Sequence, residues 1–251
     1  MPRIHVDVPL AAGQSLALPP GAARHVQVLR LQPGAELTLF NGLGGEWTAR
    51  IERIGRSDVQ VVAETHHAVE REIGPAVTLV LGMPANDRMD TLVEKAVELG
   101  AFAIQPLMTE RSVLRLAGDR AEKKRAHWQA IAVAACEQCG RNRVPAVAPV
   151  ASLAGWWASS QPAAGEARWL LGFCSDAQAV AQRLRAGSVP PRLILLSGPE
   201  GGLAPAEVEA ARAAGFLPTT LGPAVLRADT APLAALAAVA LHPGVAPMLA
   251  S

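Results

Sequence analysis

Arg227 and Asp229 stand two residues apart in Leu221-Gly222-Pro223-Ala224-Val225-Leu226-Arg227-Ala228-Asp229-Thr230, just ahead of an alanine-rich helical run from Pro232. An arginine among apolar neighbours in such a turn needs either a carboxylate partner or an anionic, electron-rich ligand. Asp229 could be that partner, so a structural ion pair and a ligand-facing cation both stay open. Asp229 or Thr230 could equally be a helix cap. A second glycine-bearing segment is Leu195-Leu196-Ser197-Gly198-Pro199-Glu200-Gly201-Gly202, which reads as a buried strand, a loop and then a helix. Glycines there allow close backbone approach to a ligand, at the carboxyl end of a strand where open α/β sheets bind theirs. A simple tight turn is the alternative. No Gly-Lys-Ser or Gly-Lys-Thr follows, and the spacing does not fit Gly-x-Gly-x-x-Gly, so neither a Walker loop nor a dinucleotide fingerprint is present.

A third segment carries charge. Between Thr109 and Pro145 lie eight basic residues, including Arg111, Arg141 and Arg143, against four acidic ones, a local surplus of four in a chain of net charge +1. Such a patch suits phosphate contacts, and a solvated helix face is the bland alternative. Cys136-Glu-Gln-Cys139 lacks the second ligand pair of a structural zinc site and lies near a helix C-terminus, so packing is expected and no metal. Serine-hydrolase chemistry lacks its Gly-x-Ser-x-Gly turn. Three cysteines, no apolar run long enough to span a bilayer and no apolar leader predict a cytoplasmic protein without membrane segments.

The elements that must position these residues fall into two parts. Up to about Thr65 apolar residues alternate (Ile4, Val6, Val8; Leu37, Leu39; Trp47, Ala49, Ile51; Val59, Val61, Ala63) between turns such as Leu18-Pro19-Pro20-Gly21 and Asn41-Gly42-Leu43-Gly44-Gly45. That pattern predicts a small antiparallel barrel over residues 1–72. From Pro75 onward strands alternate with helices, predicting a mainly parallel α/β sheet over 75–251. Val77–Leu81, Phe102–Leu107, Arg168–Phe173 and Arg192–Ser197 read as buried strands. Helices are punctuated by Gly100, by Asp119 with Glu122 and then Gly140, and by Pro205 with Gly215.

Taken together, Ala134-Ala135-Cys136-Glu137-Gln138-Cys139-Gly140-Arg141, Gly198-Pro199-Glu200-Gly201-Gly202 and Leu221-Gly222-Pro223 through Thr230 resemble the RsmE-type family, a branch of the SPOUT methyltransferases. Its members methylate N3 of a uridine in 16S ribosomal RNA. Weaker support comes from Lys95-Ala96-Val97-Glu98-Leu99-Gly100, Glu110-Arg111-Ser112, and His25 with Val28-Leu29-Arg30. The resemblance implies a PUA-like RNA-binding N-terminal barrel, a C-terminal α/β domain threaded into a trefoil knot, a homodimer, and S-adenosylmethionine (SAM) as cofactor. Carried onto this chain, the cofactor residues are Leu171, Gly172, Leu196, Gly198, Pro199, Glu200, Gly201, Gly202, Leu221, Gly222, Leu226 and Arg227. The residues expected to face RNA are Arg3, Arg24, His25, Arg30, Arg111, Glu137, Gln138, Arg141 and Arg143.

The chain also departs from the family pattern: Ala224 replaces an arginine, Ala228 a threonine and Asp229 a glutamate, and Ala85 occupies a commonly basic position before Asn86. For the reaction, uracil N3 must lose its proton before it is a good nucleophile. Arg227 is expected to stabilise charge on the uracil carbonyl oxygens, and Asp229 either to orient Arg227 or to accept the proton. The competing readings are a SPOUT enzyme for a ribose 2′-hydroxyl or a transfer RNA base, and a catalytically silent RNA-binding or ribosome-assembly module.

Overall fold

The computed structural model describes residues 1–85, 88–186 and 189–245; Asn86 and the chain after residue 245 lie outside the described residues. Its described residues divide into two compact units, the first made of Met1–Glu72 with Cys136–Val144, the second of residues 73–135 with 145–245.

The first unit contains β1 (Arg3–His5), β2 (Ser15–Ala17), α1 (Pro20–Val28), β3 (Glu36–Phe40), β4 (Glu46–Ile54) and β5 (Val59–His67). Its sheet runs β1-β3-β4-β5-β2. The alternating residues do form these strands, with Leu37, Leu39, Ala49, Ile51, Val59, Val61 and Ala63 turned into one core, closed by Ala23 and Val26 of α1. Three expectations need correction. The sheet is not wholly antiparallel, because β1 pairs parallel with β3. Leu18-Pro19-Pro20-Gly21 is not a turn but a helix start, with Pro20 at the first helical position where its missing N–H is harmless. Val8 lies beyond β1 and is exposed.

The returning segment Cys136–Val144 completes this unit. Arg143 bridges Leu43 in antiparallel fashion, and the Arg3 guanidinium donates to the Asn142 Oδ1 (2.6 Å) and to Glu46 (2.6 Å). Arg71 also donates to Glu46 (2.7 Å). Held first by Arg71 and then Arg3, against a burial that opposes ionisation, the Glu46 carboxyl is drawn down from 4.5 to about 2. A carboxyl whose folded pKa is depressed adds stability above its unfolded pKa and loses it as pH falls through the folded one. Urea titrations should therefore show stability falling between pH 4.5 and about 2, and Glu46→Gln should flatten that fall.

The second unit contains β6 (Ala76–Gly82), α2 (Arg88–Glu98), β7 (Ala103–Met108), α3 (Gly118–Cys139, whose last four residues belong to the first unit), β8 (Ala146–Val147), β9 (Ala151–Ser152), α4 (Leu153–Ser159), β10 (Glu166–Leu171), β11 (Gln178–Ala179), α5 (Val180–Arg185), β12 (Arg192–Ser197), α6 (Pro205–Ala213), β13 (Leu217–Thr220) and α7 (Thr230–Ala240). Its sheet runs β11-β13-β10-β12-β6-β7-β8, with β9 also on β7, and every pairing is parallel. Leu193, Leu195 and Leu196 of β12 and Val77, Leu79, Val80 and Leu81 of β6 are fully or almost fully buried, as central strands covered on both faces require. Phe102 and Phe173, expected within strands, lie just outside them and are exposed. Cys136 is buried and unpaired, and burial pushes its thiol up to about 12, so packing is its role.

Candidate active site

In the second unit the chain leaves the carboxyl ends of three adjacent strands, β13, β10 and β12, in three loops that enclose one cavity of about 460 Å³. β10 supplies Leu171–Phe173, β12 supplies Ser197–Gly202, and β13 supplies Thr219–Leu221 and then Ala224–Ala228. Leu171, Gly172, Gly198, Pro199, Glu200, Gly201, Gly202, Leu221, Leu226 and Arg227 of the expected cofactor set all line it. Leu196 does not: it is fully buried in the core beneath. Gly222 lies on a neighbouring apolar groove instead.

The glycines of the β12 loop answer distinct steric needs. A Cβ on Gly198 would sit 2.7 Å from the Leu203 backbone nitrogen and 2.8 Å from the Gly202 carbonyl carbon. One on Gly201 would press on the Arg111 side chain at 3.2 Å, and Gly202 has a φ of +67°. Three supports outside the loop were not legible from sequence. Gly82, at the end of β6, lets Pro199 approach so closely that a Cβ there would be 2.6 Å from its Cδ. Arg111 donates to the Gly201 carbonyl (2.9 Å), so this residue of the expected RNA set buttresses the loop. Glu200 accepts from the Ala85 backbone N–H (2.9 Å) and the Arg88 guanidinium (3.2 Å), tying the loop to the start of α2. Only Gly82 carried a signal of its own, a glycine closing a buried strand.

Arg227 is exposed on the cavity rim and forms no ion pair with Asp229, so that structural explanation falls away. Asp229 does not line the cavity, and its side chain does not cap α7. The Ala231 N–H it would cap is already given to the Arg227 carbonyl (3.0 Å), and the next position is Pro232, which has no N–H. One carboxylate oxygen of Asp229 is buried without a hydrogen-bond partner among the described residues, as is the hydroxyl of Ser197. Orientation of Arg227 by Asp229 is therefore not what these side chains do here.

The remaining residues expected to face RNA are in the first unit and divide sharply. Arg141 is 4% exposed and clamps buried Glu72 through two hydrogen bonds, so it holds a loop and presents nothing to a phosphate. Arg3 is similarly occupied, and Glu137 accepts the His5 backbone N–H (2.9 Å). Arg143 pairs with Glu70 but keeps 46% exposure. Arg24, His25, Arg30 and Gln138 are exposed. Of the eight basic residues between Thr109 and Pro145, Arg125, Arg141 and Arg143 form ion pairs, and Arg111 and Arg115 donate to backbone carbonyls. No cluster of metal-binding side chains and no helix long and apolar enough to cross a membrane occur among the described residues.

Residues 72–240 match the model of an RNA methyltransferase domain, and residues 18–64 that of an RNA methyltransferase PUA domain. Ribosomal RNA small subunit methyltransferase E of Bacillus subtilis is 33% identical over 219 residues, 85% of this chain and 84% of the relative. The crystal structure of a ribosomal RNA small subunit methyltransferase E from Neisseria gonorrhoeae bound to S-adenosyl methionine is 35% identical, with a TM-score of 0.85 over 95% of this chain and 96% of that one. A methyltransferase from Legionella pneumophila, solved with its bound cofactor SAM, is also 35% identical, with a TM-score of 0.86 over 94% and 96%. Fold, loop arrangement and sequence converge: the chain belongs to the ribosomal RNA small subunit methyltransferase E family.

Proposed function

We propose that this protein transfers a methyl group from SAM to N3 of a uridine in 16S ribosomal RNA of the small ribosomal subunit. The observation that carries the reading is the cavity at the strand ends, cradled by Gly198–Gly202 and rimmed by Arg227, which is exposed and forms no ion pair among the described residues. Its size lies within the range of small-molecule sites. Its walls suit the cofactor: Leu171, Leu221 and Leu226 offer apolar surface to an adenine, and the glycine loop offers backbone groups to polar atoms. When bound, SAM supplies a methyl group already activated on a sulfonium. The protein's own residues then have to place the base and manage its proton.

Arg227 stabilises negative charge on the uracil carbonyl oxygens as N3 is deprotonated. Asp229 does not line the cavity and forms no ion pair among the described residues, so for it to accept that proton its carboxylate must turn toward the base when the substrate is bound. Because Arg227 is exposed, its contribution is smaller than that of a fully desolvated donor, and Arg227→Ala should slow methyl transfer about 10- to 100-fold. Cofactor affinity, measured by calorimetry, should change by less than about threefold, since backbone groups dominate the cradle. The homodimer, the knotted path and a cytoplasmic setting belong to the same reading. Sedimentation of the purified chain at twice its monomer mass is the check on the first.

The test is methyl transfer to purified, unmodified small subunits followed by nucleoside mass spectrometry. N3-methyluridine is expected. A 2′-O-methyl nucleoside would move the reaction to the ribose, methylation of added transfer RNA but not of subunits would move it to another substrate, and cofactor binding without any product on either would leave an RNA-binding module.

A further inference from the structure

Among the described residues three charged side chains line the cofactor cavity, Arg88, Glu200 and Arg227. Arg227 is taken by the uracil in the proposed reaction, which leaves Arg88 and Glu200. These two are paired, but only in part. Arg50, Arg71, Arg141 and Arg212 each hold a carboxylate through two hydrogen bonds. Arg88 uses one, from Nη1 to Glu200 Oε1 at 3.2 Å, and that oxygen also takes the Ala85 N–H (2.9 Å). The next carboxylate on α2, Asp90, is already committed to His127 and Trp128 (2.7 and 2.9 Å). Glu200 Oε2 and the Nε and Nη2 of Arg88 therefore form no hydrogen bond among the described residues. Both side chains are partly exposed, 41% for Arg88 and 31% for Glu200, so a ligand can reach those atoms.

SAM matches this half-open pair. Beyond its adenosine it carries an α-amino acid end, with an ammonium and a carboxylate on one carbon. Such a zwitterion is costly to enclose without opposite charges beside it. Among the described residues Glu200 is the one anion lining the cavity, and Arg88 the one cation left for a carboxylate. The free Nε and Nη2 lie on the same side of the guanidinium, the fork that takes both oxygens of a carboxylate.

Resting on the SAM-dependent function proposed above, we infer that Arg88 binds the carboxylate of the cofactor's amino-acid end while Glu200 Oε2 accepts from its ammonium. Positive and negative then alternate around the four groups, so each charge has an opposite neighbour. The pair reads a part of the ligand that the apolar walls and the glycine loop do not, and it makes Arg88 a residue of specificity. It does not tell SAM from its demethylated product, because both keep the same amino-acid end.

The test is calorimetric titration of the full chain with three ligands. SAM carries the amino-acid end and a sulfonium, S-adenosylhomocysteine keeps the end without the sulfonium charge, and 5′-methylthioadenosine has neither. Glu200→Gln retains an oxygen for the Ala85 N–H and removes the charge, and Arg88→Gln removes the fork. Because both groups are partly exposed, each variant should weaken SAM and S-adenosylhomocysteine only about fivefold. Binding of methylthioadenosine should change by less than about twofold, and melting temperatures by less than about 2 °C. Salt should lower the wild-type affinity for S-adenosylhomocysteine more than that for methylthioadenosine. Equal weakening of all three ligands would overturn the inference, since a pair that only ties the loop to α2 acts on each alike. Glu200→Gln weakening SAM but not S-adenosylhomocysteine would place the carboxylate on the sulfonium instead. Arg88→Gln leaving all three affinities intact while lowering affinity for small subunits would give that cation to a phosphate, and either result overturns the assignment. A wild-type chain that binds none of the three loses the reading on which the inference rests, whereas one that binds SAM and fails the variant tests loses this assignment alone.

Discussion

Gly198→Ala is expected to weaken SAM binding about 100-fold. The added methyl would meet the Leu203 nitrogen and the Gly202 carbonyl carbon at 2.7 and 2.8 Å, both backbone atoms of the same loop, so no side chain can swing aside. Overpacking of this kind costs up to about 3 kcal/mol, and each 1.4 kcal/mol is a factor of ten in affinity. Without a ligand the loop can relax outward and shed the strain. With one it must return, so the penalty falls on Kd and the melting temperature should move by less than about 2 °C. Gly82→Ala tests the same idea from outside the cavity, because its methyl would displace Pro199 without touching a ligand. Calorimetric titration of both variants is the measurement. Wild-type affinity in Gly82→Ala would mean that β6 does not support the loop.

Arg141→Leu is expected to destabilise the first unit by about 3 to 5 kcal/mol, read as a lowered urea midpoint. Glu72 is 5% exposed, and the variant leaves its charge buried without the guanidinium that compensates it. Glu72→Leu in the same chain should recover most of the loss, because two apolar side chains replace the desolvated pair. Were Arg141 a phosphate contact instead, the single variant would retain its midpoint and lose RNA affinity.

What could be read from sequence depended on how local its cause was. The strands of the first unit were legible because one face of each is buried, so Leu37, Leu39, Ala49 and Ile51 alternate with polar residues. α1 was not, because nine residues that start at a proline pair and present only Ala23 and Val26 to the core leave too short a periodic trace. β8, β9 and β11 have two residues each and are defined by parallel neighbours that sequence does not place. The glycine loops of the cavity were legible because glycine after a buried strand has few other uses. Gly82 and Arg111, which hold one of those loops, act across tertiary contacts and were not. Arg141 and Arg143 look interchangeable in the sequence, yet one is enclosed with Glu72 and the other remains half in solvent beside Glu70. Their difference is written near residue 70, far from either. The Asp229 cap failed for a local reason, the proline at the third helical position, which was available to be read.

The composition of the first unit from two separated stretches bears on how the chain leaves the ribosome. Glu72 emerges 69 residues before Arg141, and at about 5 to 20 residues per second translation takes roughly 3 to 14 s to deliver the partner. Throughout that interval the nascent barrel lacks the strap that neutralises its innermost carboxylate and covers the Asn41–Gly45 turn. Completion of the N-terminal unit therefore waits on synthesis of residues 73–135, and a fragment ending near residue 75 would lack the residues that pair with Glu72.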